Sequence, residues 1–220
     1  METAFRATAA ALGWFAITLQ YSLFASTRAG PELIGFTINF FSYFTILSNI
    51  LIALAMTLPW LAPKSRLGTW VMQPSVRTVL AGYIIVVGLV YHLMLRGLFH
   101  PQGWRLVCQI ILHYVTPTLF VLDWLLFVPK RALTWRVAFG GLVLPVLYIG
   151  WTLLHGALGG FYPYPFVNVL RLGYEQVLLN VTGLLLAFVC LLLALVGLGR
   201  LLSAASMRNR NPDEAQRTRG

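Results

Sequence analysis

Six apolar stretches, each long enough to cross a bilayer as a helix, leave this chain few ways to fold. They run over about 7–26, 36–58, 76–96, 105–128, 136–155 and 174–201. A hydrocarbon core about 30 Å thick takes roughly 20 apolar residues of helix. Gly30 and Pro31, Pro59 and Pro63, Pro101 and Gly103, and Pro129 mark the first four gaps. The fifth gap, 156–173, holds Gly159, Gly160, Pro163 and Pro165. These residues end helices and make turns. A helix satisfies its own backbone where water is absent, so the stretches predict an all-α, six-helix transmembrane bundle over residues 1–206. Residues 207–220 are polar and basic and read as a disordered cytoplasmic tail.

Composition excludes the alternatives. Hydrophobic residues make up 59% of the 220 and charged residues 10%, against roughly 45–50% and about 25% in soluble domains. A soluble enzyme is excluded, and the spans leave no room for a separate soluble domain. Two cysteines, Cys108 and Cys190, both inside apolar runs, exclude a disulfide scaffold.

The net charge of +10 in a soluble protein would suggest nucleic acid; on membrane loops it sets orientation and meets anionic lipid heads instead. Twelve Lys and Arg fall on the N-terminus, second loop, fourth loop and tail, and four (Arg28, Arg96, Arg105, Arg171) on the other side. That bias predicts cytoplasmic termini, in keeping with an even number of spans. The first span is longer than a signal-peptide core and no small-x-small cleavage site follows it, so it reads as a retained helix.

Polar groups inside a membrane are costly and therefore informative. Along the second stretch Asn39, Ser42, Thr45 and Asn49 recur every three or four residues, on one face of a continuous helix with Ser48 beside them. Bundles use such residues to bond helices together, and the same stripe also suits a site. In the fourth stretch Gln109, His113 and Thr116 share a face and Pro117 predicts a kink. Thr45 lies nine residues past Phe36 and His113 eight past Arg105, which places both roughly 12–14 Å below the outer boundary. An imidazole that takes the hydroxyl proton would make Thr45 a nucleophile. Asp123 is ten residues beyond His113, about 15 Å along the helix and too far to complete a triad. It reads as half of a structural ion pair or as a proton relay. The segment Tyr162–Pro165 is a stiff aromatic stretch, an interfacial anchor or a lid.

The threonine within FSYFTILSNIL, and the histidine of LHYVTPTLFVLDW followed ten residues later by an acid, resemble the family of androgen-induced-gene-type integral membrane proteins. The YPYPF segment at 162–166 is similar to that family's bacterial branch. The resemblance covers the layout of most of the chain. It implies a multi-span helical fold in a bacterial cytoplasmic membrane. Animal members hydrolyse fatty acid esters of hydroxy fatty acids with an intramembrane threonine and histidine, positions that map to Thr45 and His113.

The sequence thus suggests a lipid-ester hydrolase taking its substrate from the membrane, with Thr45 as nucleophile and His113 as base. Ser48 or Asn49 would stabilise the oxyanion, and His92, Thr116 and Asn180 are further substrate-binding candidates. No GxSxG or HExxH motif is present, and the expectation includes neither metal nor cofactor. The alternative is a proton-coupled transporter or lipid-binding membrane protein lined by the same stripe. A haem protein using His92, His113 or His155, and a purely structural role, complete the range.

Overall fold

The computed structural model describes residues 1–210, and within them all regular structure is helical. Six helices are long and apolar enough to cross a membrane: Glu2–Ala25, Phe44–Leu61, Pro74–Leu95, Trp104–Phe127, Arg136–Gly159 and Val169–Ala205. In chain order the elements are α1 (Glu2–Ala25), α2 (Gly30–Phe41), α3 (Phe44–Leu61), α4 (Arg66–Val71) and α5 (Pro74–Val90), which continues through a π turn at Tyr91–Leu95. Next come α6 (Trp104–Ile110), a second π turn at Ile111–Val115, α7 (Thr116–Phe127), α8 (Arg136–Gly140), α9 (Val143–Gly159) and α10 (Val169–Arg210), the last interrupted at Gly173. Helix α10 runs four residues into the segment expected as a tail, and 211–220 lie outside the described residues.

Packing explains which helices are neighbours. Helix α5 touches α3, α7 and α10, while α1 packs on α3. The α1–α3 seam uses small residues, Ala9, Ala10, Gly13 and Ala16 against Ala53 and Ala55, which let two backbones approach where lipid offers no hydrophobic drive. The core centres on Phe44, whose ring meets Tyr83, Tyr148 and Phe188 at centroid distances of 5.9, 5.0 and 5.8 Å. Such edge-on contacts suit the ring quadrupole. Leucines at 93, 158, 170 and 179 stay exposed, the surface a bilayer would cover.

One expectation is corrected. The second stretch, read as one helix from 36 to 58, is two helices separated at Ser42 and Tyr43. Tyr43 is extended, with φ −83° and ψ 127°, and caps α3. Neither glycine nor proline marks the break. Partners from far along the chain hold it: Tyr148 Oη donates to Ser42 O at 3.0 Å, and Trp151 Nε1 to Ser42 Oγ at 3.0 Å. Tyr148 gives the Ser42 carbonyl the partner that a continuous helix would have given it, and Trp151 anchors the Ser42 side chain.

Candidate functional site

The break divides the polar stripe of the second stretch. Asn39 and Ser42 face α9, where His155 Nε2 donates to Asn39 Oδ1 at 2.8 Å. Thr45, Ser48 and Asn49 belong to α3 and are all buried. Thr45 therefore sits in the first turn of a helix, and its depth cannot be reckoned from Phe36. The first N–H groups of a helix have no partner within it. That of Thr45 donates to the phenol oxygen of Tyr164 at 3.1 Å, and Thr45 Oγ1 lies 3.2 Å from the same oxygen.

Thr45 also lines a narrow cavity of about 40 Å³. The walls are otherwise almost wholly apolar, with Val86, Val87, Pro145, Leu184 and Phe188 among them and the phenols of Tyr148 and Tyr164 beside Thr45. This lining suits an apolar group, and a charged group within it would be left unpaired.

His113 reaches its place by a change of helical register. Pro117 has no N–H, so the carbonyl of His113 loses its donor four residues on. The backbone passes through a π turn in which Thr116 N–H bonds Ile111 O instead. Such turns recur at functional sites. The His113 ring is 7% exposed and stacks on Tyr91 of the first π turn, with centroids 4.0 Å apart. Gly88 makes this approach feasible, since a Cβ there would stand 3.1 Å from His113 O. His113 Nδ1 donates to Gln109 O at 3.0 Å. That fixes the neutral tautomer and leaves the Nε2 lone pair free to accept a proton.

Thr45 and His113 share no hydrogen bond among the described residues, but Asn49 joins the turns that carry them. Its Nδ2 donates to Thr45 O at 2.9 Å and to Leu112 O at 3.2 Å. This corrects the oxyanion expectation for Asn49: both amide protons already serve carbonyls. Asn180 is also reassigned, because its Nδ2 donates to Phe166 O at 2.8 Å and ties α10 to the 160–168 segment. His92 is exposed and pairs with Tyr114 and Arg96, away from Thr45's partners. Ser48 Oγ and Thr116 Oγ1 are buried with no partner among the described residues, so they remain free to bond a ligand.

Sequence reasoning missed Tyr164 as a partner of Thr45. Its only signal was the aromatic segment, whose lid reading named no contact. Asp123 is placed plainly. It is fully buried and bonded by Arg6 Nε at 2.7 Å and by Arg77 Nη2, an ion pair linking α1, α5 and α7. Among the described residues, no three His, Cys, Asp or Glu side chains gather as a metal site would require. Comparison with protein-family models, curated proteins and solved structures finds no match in any of the three.

Proposed function

We propose that this chain is an intramembrane lipid-ester hydrolase of a bacterial cytoplasmic membrane, with Thr45 as nucleophile and His113 as base. One observation carries the reading: a buried threonine hydroxyl, in the first turn of a helix, forms part of the wall of an otherwise apolar cavity. The acyl chain of a membrane lipid would enter along this apolar wall, which must widen from about 40 Å³ to admit it, with its carbonyl carbon at Thr45 Oγ1. The free Nε2 of His113 takes the hydroxyl proton as Oγ1 bonds to that carbon, and returns it to the departing alkoxide as the ester C–O bond breaks. Water then attacks the acyl-threonine. Its proton passes through His113 to Thr45 Oγ1, and the free acid leaves. The resemblance to the androgen-induced-gene family supports fatty acid esters of hydroxy fatty acids, or related lipids, as the substrate class. Catalytic hydrogen bonds are commonly loose until substrate is bound, so the resting arrangement is compatible with this role.

The test is covalent labelling of the purified protein by a fluorophosphonate, beside turnover of a long-chain ester in vesicles. Wild type is expected to label and turn over. Thr45→Ala should abolish both, and His113→Ala should lower turnover by about 10²–10⁴-fold, the usual worth of a general base. A second reading, a lipid-binding protein or proton-coupled transporter, draws on the lack of a Thr45–His113 bond. Folded wild type that binds fatty acyl chains and neither labels nor turns over ester would establish it and end the hydrolase reading.

A further inference from the structure

The phenol of Tyr164 is a polar group brought to Thr45 by a segment outside the spans. It takes the Thr45 N–H at 3.1 Å and stands 3.2 Å from Thr45 Oγ1. In a tetrahedral adduct on Oγ1 the acyl oxygen is bonded to the carbon that Oγ1 has attacked, so it must lie in this same small space. We propose that Tyr164 is a further catalytic residue: its O–H, with the Thr45 N–H, holds the acyl oxygen as it turns negative. The proposal rests on the reading of Thr45 as a nucleophile.

Four observations support it. Of the two donors expected there, the Asn49 amide is committed to two carbonyls. The phenol stays protonated, because burial pushes its pKa up to about 12. It acts at the positive end of a helix, where negative charge is favoured. It is also held in position. The Tyr164 ring stacks on Phe166 with centroids 5.3 Å apart and planes 3° from parallel, and meets Tyr43 edge-on at 5.7 Å. Prolines 163 and 165 flank it, and Asn180 ties Phe166 O to α10. Tyr162 lies over Gly156, where any Cβ would enter its ring. This packing confines the ring, so the phenol has only to shift off the Thr45 N–H to reach the acyl oxygen.

The sequence of events balances. At rest the phenol oxygen accepts the Thr45 N–H. As the acyl carbonyl enters, the phenol gives way and turns its own proton toward the carbonyl oxygen. Attack by Oγ1 moves the carbonyl electron pair onto that oxygen, which then accepts from both donors. Collapse restores the carbonyl and expels the alkoxide, with no net proton change at Tyr164.

Tyr164→Phe in the full-length protein, reconstituted in vesicles, removes the oxygen and keeps the ring. The expected result is a kcat lowered by about 10²–10³-fold, the loss typical of one oxyanion donor. KM and the melting temperature should change little. Wild-type kcat in Tyr164→Phe, beside a dead Thr45→Ala, overturns the role of Tyr164 and leaves the hydrolase reading intact. Wild type that neither labels nor turns over ester overturns both. If Tyr164→Phe melts early, 3-fluorotyrosine in place of Tyr164 supplies the second test. A more acidic phenol loses its proton sooner, so the alkaline limb of the rate profile should move to lower pH. An unmoved limb overturns the proposal, because a packing role does not depend on that proton.

Discussion

The two ends of the bundle treat buried polarity in opposite ways. At the end where the N-terminus lies, charges are buried and answered. Asp123 is held by Arg6 and Arg77, and Arg77 also donates to Ala55 O at 3.1 Å. Trp124 Nε1 donates to Thr78 Oγ1 at 2.9 Å, and Lys130 Nζ to Leu125 O and Val128 O at 3.0 and 2.8 Å. One guanidinium N–H, Arg77 Nε, is left over among the described residues. At the Thr45 end the buried groups are neutral, and Ser48 Oγ, Asn49 Oδ1, Thr116 Oγ1 and Thr152 Oγ1 have no partner there. An unanswered charge in a dry interior would cost too much to keep, whereas a lone hydroxyl costs about 1–3 kcal/mol and leaves a hydrogen bond to offer. The charged end therefore reads as a fastening and the hydroxyl end as a receptacle.

The sharpest way to break this contrast is Asp123→Ala. It strands two buried guanidinium groups and should cost about 3–5 kcal/mol of stability, seen as a much lower melting temperature in detergent. A loss under about 1 kcal/mol would show that water answers the arginines and that the knot is no fastening. Asn49→Leu comes next, because it unties the Thr45 and Leu112 carbonyls; about 1–3 kcal/mol should be lost in the same melt. Gly156→Ala forces a methyl against the Tyr162 ring and should cost about 1–3 kcal/mol by overpacking. A melt equal to wild type would mean that Tyr162 swings aside freely. Smallest is Ser48→Ala, which deletes a hydroxyl with no partner and should leave stability within about 0.5 kcal/mol of wild type. Turnover lost in a Ser48→Ala protein that melts normally would make Ser48 an oxyanion donor.

The fastening was the more legible end. Asp123 is an acid inside a span, and its expense predicts a basic partner or a proton relay, though not two arginines at once. The six spans were legible for a similar reason, since length and hydropathy are properties of each segment by itself. The receptacle was less legible because its geometry comes from contacts between segments. The break at Ser42–Tyr43 carries no glycine or proline and exists through Tyr148 and Trp151. Equal depth for Thr45 and His113 was reckoned on a helix that turned out to be two. The contact between their turns depends on Asn49, which looked like one more residue in a stripe. Pro117 announced a kink, but the π register and the stack on Tyr91 required the partner helix.

The broken helix also bears on the order in which the molecule is assembled. The residues that hold positions 39, 42 and 45 lie 116, 106 and 109, and 119 places further along the chain. A nascent chain that has inserted only four spans contains none of them. Until the fifth span and the segment after it arrive, these bonds are missing, and α2 is held beside α3 through its contacts with α1, such as Tyr21 Oη with Thr37 Oγ1 at 2.9 Å. The hydrogen bonds around the turn that carries Thr45 are thus completed only after the fifth span, late in synthesis.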